Sequence, residues 1–143
     1  MLPIDLYEFN DTTALIRLLM ALLASGILGI ERTRKLRPAG MRTYMLVCIG
    51  ACSTMLGGLY LYEIYGPGFD PARMAAQVIS GIGFIGAGTI IVTRRQRVKG
   101  LTTAAGLWAV GIIGLCLGAG FYEGGIAATA MILVAELVLA KVE

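Results

Sequence analysis

The sequence lacks histidine altogether and has few charged residues, which make up 15% of its 143 positions. Without histidine, the commonest metal ligand and general base is missing. The three cysteines all lie within apolar runs, which argues against a disulfide framework or a zinc site: Cys48, Cys52 and Cys116. We find no nucleophile paired with a base, so we expect neither an enzyme nor a bound cofactor.

Hydrophobic residues, in contrast, make up 57% of the chain, and the mean hydropathy is +0.80. This composition is too apolar for an ordinary water-soluble domain and predicts a protein whose surroundings are the lipid bilayer. The 20 glycines lie inside the apolar runs rather than in linkers. Glycine at such positions allows helices to pack closely in lipid. We therefore expect a single transmembrane domain over residues 1–143.

Five apolar segments meet or approach the roughly 20 residues that a membrane-spanning helix needs. The sequence thus predicts an all-α polytopic membrane bundle of about five transmembrane helices, over residues 14–30, 41–62, 72–92, 101–121 and 124–140. The fifth segment is the weakest because it is short and contains Glu136. That residue indicates either a buried polar contact to another helix or a helix partly exposed to water.

Basic residues are concentrated in two short loops, and this asymmetry predicts the orientation. The loops contain Arg32, Arg34, Lys35, Arg37 and Arg42, and then Arg94, Arg95, Arg97 and Lys99. Short loops rich in lysine and arginine remain in the cytoplasm. The N-terminus is therefore expected outside and the C-terminus in the cytoplasm. Topology explains these residues better than nucleic-acid binding does, so we expect no nucleic-acid partner.

Capping residues indicate where several helices begin. Asp70 followed by Pro71 places a capping carboxylate before a proline at the first helical position, which predicts the start of the third helix. Four polar residues offer caps for the first helix, namely Asn10, Asp11, Thr12 and Thr13. The fourth helix is expected to be capped by Thr102 or Thr103.

A glycine-rich stretch in the third segment contains the pattern G-x-G-x-x-G from Gly81 to Gly86. A dinucleotide-binding loop of this pattern follows a strand and opens a helix, whereas this stretch lies within an apolar span. We therefore interpret the glycines as sites of close helix packing rather than of ligand contact. The same interpretation covers the full set of Gly81, Gly83, Gly86, Gly88, Gly114 and Gly118.

A group of polar residues recurs at helical spacing in the third segment: Asp70, Arg73, Gln77 and Ser80. Residues at this spacing share one helix face. Polar side chains at membrane depth usually face the bundle interior, a water-filled cavity or one another. The face is the best candidate for an ion or substrate entrance. Alternatively, Asp70 caps, Arg73 extends towards the membrane surface and Gln77 bonds a neighbouring helix.

A second charged group is predicted at the cytoplasmic ends of the first two helices. Glu31 and Arg32 end one helix, while Arg42 and Thr43 begin the next. The connecting loop can bring the two pairs together as an ion-pair cluster that fixes the hairpin. Alternatively, the cluster has a functional role as a gate or as a docking site for a partner.

Four segments carry a resemblance to a known family, and they include GIER, GMRT, DPAR with AQVISGIGFIGAG, and VKGLTTAA. Their order and spacing resemble the MgtC/SapB family of bacterial inner-membrane proteins over residues 15–121. The resemblance implies roles in magnesium limitation and growth inside host cells, and in some members inhibition of the ATP synthase. Many members continue into an ACT-like domain, whereas this chain stops at Glu143 and therefore resembles the short, SapB-like branch or a truncated chain.

The resemblance also marks functional residues, namely Glu31, Arg32, Arg42, Thr43, Asp70, Arg73, Gln77 and the glycines from Gly81 to Gly88. Asp70 is the one we most expect to serve function, as a candidate Mg²⁺ ligand. Our first hypothesis is a homo-oligomer for magnesium homeostasis or transport, with Mg²⁺ as the transported or sensed ion. The alternative is a non-transporting regulator that binds another membrane complex such as the ATP synthase.

Overall fold

The computed structural model describes Asp5, residues 7–92 and residues 97–138. Within these residues the chain forms five α-helices, α1 (Asp11–Arg34), α2 (Met41–Tyr65), α3 (Ala72–Ala87), α4 (Leu101–Gly118) and α5 (Tyr122–Val138). A 3₁₀ turn, Gly66–Gly68, follows α2. Two short antiparallel strands, β1 (Ile91–Val92) and β2 (Val98–Lys99), connect α3 to α4.

The helices are those of a membrane bundle, which confirms the predicted fold class. Three helical segments are long and apolar enough to cross a membrane, namely Asp11–Arg34, Met41–Gly68 and Leu101–Gly118. The large apolar side chains exposed on the bundle include Leu23, Leu46, Phe84 and Met131. An apolar exterior of this kind is suited to lipid rather than to water.

Helix α4 lies at the centre of the bundle, and the other helices pack around it. Its side chains Leu107, Val110 and Ile113 are buried and belong to a core that also includes Leu28 and Tyr44. Because every backbone polar group in lipid must be bonded within the protein, a central helix surrounded by other helices is a stable arrangement. The two ends of α4 therefore mark the two ends of the bundle.

The third helix is shorter than the sequence predicted, since α3 ends at Ala87 rather than at Val92. The residues that follow are rich in β-branched side chains, which favour strands over helices. Accordingly Ile91 pairs with Lys99 in the hairpin. At 1.5 Å per residue α3 is about 24 Å long, less than the roughly 30 Å hydrocarbon core of a bilayer.

Two helix starts differ in their agreement with the predicted caps. Helix α1 begins at Asp11 and is capped by Asn10, one of the four candidates, whose side chain accepts a hydrogen bond from the backbone nitrogen of Thr13 at 2.9 Å. The prediction for α4 was wrong, because neither Thr102 nor Thr103 is its cap. The helix follows Gly100, whose φ of +93° is a backbone conformation that favours glycine.

The orientation can be tested with cysteines introduced at Arg37 and Gly68, which are exposed near opposite ends of α2. In a background without native cysteines, the residue at position 37 is expected to react only with reagents that reach the cytoplasm. The residue at position 68 is expected to react only with external reagents. Labelling of both positions from the same side would contradict the topology. Gln96, which suits the same test, lies outside the described residues.

Candidate functional site

The side chain of Arg32 is buried where α1, α4 and α5 meet, with 3% of its surface exposed. Its Nε donates to Oε1 of Glu136 at 2.9 Å, and Nη2 lies 2.8 Å from the same oxygen. Nη2 also donates to the carbonyl oxygen of Thr102 at 3.2 Å. A buried charge requires this kind of pairing. Arg32 therefore joins the ends of three helices.

Glu136 consequently makes a buried contact to another helix, which settles the two interpretations that the sequence left open. Arg32 was selected from the sequence, but its partner was not, because the two residues are far apart along the chain. An acidic residue within an apolar helix was the available signal. It indicated that a cation lies nearby without showing which one.

The cluster expected between the first two helices does not form as predicted. Among the residues that the structure describes, Glu31 pairs with Lys35 at 2.5 Å and lies 3.9 Å from Arg32, while no ion pair joins it to Arg42. Arg42 is exposed, and Thr43 is half-buried. The hairpin is instead closed where the hydroxyl of Thr33 accepts from the backbone nitrogen of Met41 at 2.8 Å.

The inner cluster, defined as Glu31, Arg32, Lys35 and Glu136, borders a cavity of about 310 Å³. Each carboxylate has one oxygen in a close ion pair, with Lys35 for Glu31 and with Arg32 for Glu136, and the second oxygen of Glu31 lies 3.9 Å from Nε of Arg32. The second oxygen of each carboxylate is buried and has no hydrogen-bond partner within the described part of the chain, and the same holds for the hydroxyl of Tyr44.

A second buried arginine, Arg17, lies at the other end of α1 and is 1% exposed. Its Nε donates to the hydroxyl of Tyr122 at 3.1 Å, and its Nη1 donates to the carbonyl oxygen of Gly118 at 3.0 Å. Arg17 was not among the candidate residues selected from the sequence. Its position inside an apolar helix was the signal that could have revealed it.

The segment before α1 packs on this same end. The hydroxyl of Tyr7 donates to Oε1 of Glu123 at 2.6 Å, and the ring of Tyr7 meets that of Tyr122 edge-on. The hydrogen bond to the carboxylate, and then its negative charge, raise the pKa of Tyr7 above its usual value. This end of the bundle is thus closed by contacts between the N-terminal segment, α1 and α5.

The polar residues expected on one face of α3 are all exposed, namely Asp70, Arg73, Gln77 and Ser80. Helix α3 begins at Ala72 rather than at Pro71 as predicted, but Oδ1 of Asp70 accepts from the backbone nitrogen of Ala72 at 2.9 Å, as a capping carboxylate does. The opposite face of α3 holds Ile82 and Gly86, which are buried. No other helix in the described residues forms a second wall over the polar face.

The glycines selected from the sequence divide into two groups. A side chain at Gly114 or Gly118 would meet the backbone of α2 at Cys48 or Cys52, and one at Gly86 would contact Ala104. Gly81 and Gly83 are exposed, and an added methyl group would meet nothing within 4 Å. At Gly88 it would meet only carbonyl groups of its own helix. We name the exposed surface formed by Asp70, Arg73, Gln77, Ser80, Gly81 and Gly83 the open face of α3.

In the described ranges, no group of three or more acidic, cysteine or histidine side chains lies close enough together to hold a metal ion. Asp70 therefore does not belong to such a group among these residues. Magnesium is usually held by one or two carboxylates and keeps several waters. A single Asp70 satisfies only part of this requirement.

The family model described as the MgtC family matches residues 18–143. The chain belongs to the MgtC family. This confirms the resemblance and identifies the chain as a membrane protein of MgtC type. No solved structure matches the chain.

Curated relatives within the MgtC family include a protein of Escherichia coli strain K12 named putative magnesium transporter YhiD, 43% identical over 123 residues. Protein MgtC of Salmonella typhimurium strain 14028s is 41% identical over 125 residues, and protein SapB of Bacillus subtilis is 35% identical over 130. These matches cover 83%, 87% and 88% of this chain but 57%, 52% and 56% of the relatives. The chain thus spans little more than half of their length.

Proposed function

We propose that the chain is a magnesium-homeostasis protein of the bacterial inner membrane that works as an assembly of several copies. The link to magnesium is supported by the MgtC family and by the name of the YhiD relative. The assembly is supported by the open face of α3, which is the observation that carries the proposal. The face combines polar side chains with glycines on a helix of otherwise apolar composition.

The physical argument for an assembly rests on the cost of leaving this face against lipid. Polar side chains such as Arg73 and Gln77 are unfavourable in hydrocarbon and normally face protein or water. Gly81 and Gly83, at the two edges of this surface, have free space above their backbone, which allows another helix to approach closely. A second copy of α3 supplies polar partners for these side chains. Its own glycines also allow the two helices to approach closely.

An assembly also solves the shortage of metal ligands. One protomer offers Asp70 alone, whereas a symmetric oligomer repeats Asp70 once per copy around a common axis. Several carboxylates near one axis attract a divalent cation while leaving most of its hydration waters in place. Asp70 is expected at the outer end of α3, where it lines the entrance of the ion pathway.

The alternative function is a regulator that conducts nothing and uses the open face of α3 to bind another membrane protein. The lack of a metal-binding cluster in the described residues favours it. Both functions use the same face, and they differ in whether the chain alone moves Mg²⁺.

Flux into liposomes containing only the purified chain separates these functions, and Asp70→Asn is the informative variant. Asparagine caps a helix about as well as aspartate, so the variant should fold normally but lose Mg²⁺ flux and growth in low magnesium. Glu63→Gln, an exposed carboxylate elsewhere, is the matched control. Absence of flux from the folded parent would refute transport. A parent that nevertheless supports growth in low magnesium would favour the regulator.

A further inference from the structure

The cavity beside the inner cluster has two chemically different walls. One wall is charged and consists of Glu31, Arg32, Lys35, Arg37 and Glu136. The other is apolar and includes Ala105, Ile132 and Ala135 from α4 and α5. At about 310 Å³ the cavity is at the lower end of the range of sites that bind small organic groups.

Two acceptors of the charged wall have no hydrogen-bond donor within the described residues. The free carboxylate oxygens of Glu31 and Glu136 are buried, and the Glu136 side chain is 8% exposed. A buried acceptor without a donor is unfavourable, and the cost is greater when the acceptor is charged. These oxygens therefore favour a ligand that donates hydrogen bonds from N–H or O–H groups. The Tyr44 hydroxyl is a third buried group without a partner among the described residues.

Charge distinguishes between a metal ion and an organic donor. The guanidinium of Arg32 already lies 2.8 Å from Oε1 of Glu136, so a divalent cation at this carboxylate would be repelled at short range. A primary ammonium carries one charge and supplies three donors. It can bond the free oxygens of Glu31 and Glu136 without replacing either existing ion pair.

The outer part of the cavity favours an anion. Lys35 has 41% of its side chain exposed, and Arg37 is exposed beside it. Ala105 and Ala135 are exposed on the outside of α4 and α5, where the predicted topology places them against the cytoplasmic leaflet. From the inside outwards, the cavity thus offers free acceptors, then basic side chains, and then an apolar exit. A ligand that matches this order carries an ammonium group, then a phosphate, and then a hydrocarbon chain.

We infer that this cavity binds the headgroup of a phospholipid with a primary amine. The ammonium group donates to the free oxygens of Glu31 and Glu136, and the phosphate lies against Lys35 and Arg37. The acyl chain leaves past Ala105 and Ala135 into the bilayer. The lipid would hold α1, α4 and α5 together at the end where Arg32 already joins them.

The full chain, purified in mild detergent, can be offered equal amounts of phosphatidylethanolamine and phosphatidylcholine and examined by native mass spectrometry. The choline headgroup has the same phosphate but no N–H donor, so it is a matched control. We expect about tenfold greater retention of phosphatidylethanolamine, which corresponds to the loss of one hydrogen bond to a charged group. Equal retention of the two lipids would overturn the inference.

Two competitors distinguish the source of the ligand. Free phosphoethanolamine is expected not to displace the lipid, because it lacks the acyl chain. Displacement by it would assign the cavity to a soluble ligand. Displacement by magnesium chloride would assign the cavity to the metal, and either displacement would overturn the lipid inference.

Glu31→Gln is the most suitable variant, because the Lys35 partner that it leaves is partly exposed and the buried Arg32, 3.9 Å from Glu31, keeps its closer partner Glu136. It should remove the preference for the primary amine while leaving phosphate-dependent retention of both lipids. Lys35→Gln should instead weaken the retention of both. Glu63→Gln, at the opposite end of α2, should change neither. A Glu31→Gln protein that folds and keeps the tenfold preference would contradict the inferred contact.

Discussion

Replacing Glu136 with leucine is expected to lower the free energy of unfolding by about 3–5 kcal/mol. The change removes the carboxylate that Arg32 contacts at 2.8–2.9 Å and leaves its buried guanidinium with the carbonyl of Thr102 and the more distant carboxylate of Glu31 at 3.9 Å. A buried cation without a close counter-charge is strongly unfavourable. The melting temperature in mild detergent measures the loss of stability. It is obtained from the monodisperse fraction that size-exclusion chromatography detects after heating.

The double variant Arg32→Leu/Glu136→Leu tests the cause. Replacing both members of a buried ion pair with apolar residues is often neutral or stabilising, so the double variant should recover most of the stability lost by the single one. Arg42→Gln is the surface control, because Arg42 is exposed at the start of α2. If Glu136→Leu melts at the parent's temperature, the ion pair does not hold these helices together.

Arg17 and Arg32 lie about 22 Å apart along α1, at 1.5 Å per residue, and bond opposite ends of α4. Arg17 bonds the carbonyl of Gly118, the last residue of α4, and Arg32 bonds that of Thr102 near its start. The carbonyl of Gly118 is among the last four of the helix and has no bonding partner within it. The two arginines therefore fix the position of α1 against the central helix at both ends.

The features that sequence reasoning predicted well are those that depend on neighbouring residues. The apolar length of α1 and α2 and the cap at Asn10 are decided by residues within a few positions of each other. The end of α3 was missed because apolar hydropathy does not distinguish a helix from a strand. The run from Thr89 to Val92 is apolar enough to extend the span, yet its last two residues, Ile91 and Val92, form a strand, which β-branched residues favour.

The candidate site was harder to predict because its contacts join residues far apart in the chain. The sequence marked Arg32 and Glu136 separately. It also predicted that Arg42 would lie in one ion-pair cluster with Glu31 and Arg32. Burial decided otherwise, since Arg42 lies on the exposed side of α2 while Tyr44 lies on the buried side. Which faces of α1, α4 and α5 meet depends on the packing of the whole bundle.

The packing role of each glycine could not be predicted from the sequence either, because all the selected glycines lie in similar apolar segments. Gly114 and Gly83 both lie in apolar helices, but the first is buried against α2 and the second is exposed with free space above it. The difference comes from the position of α4 at the centre of the bundle and of α3 at its edge. These two residues therefore form a matched pair for testing where close packing is required.

Gly114→Ala is expected to destabilise the fold by about 1–3 kcal/mol or more. The added methyl group would collide with the carbonyl oxygen of Cys48 and lie 3.0 Å from the Cβ of Ala51. Neither the backbone of α2 nor an alanine can move aside as a flexible side chain could. The melting temperature and the yield of monodisperse protein measure the effect.

Gly83→Ala, the matched control, should melt at or above the parent's temperature, because the methyl group meets nothing in the protomer and alanine favours the helix. Gly83→Leu extends the comparison to assembly. It should leave the protomer folded but weaken the oligomer, because a large side chain on the open face of α3 holds a second copy away. If Gly114→Ala and Gly83→Ala melt alike, α4 is not packed closely against α2. If the Gly83→Leu protein keeps its oligomeric state, the copies meet through another surface.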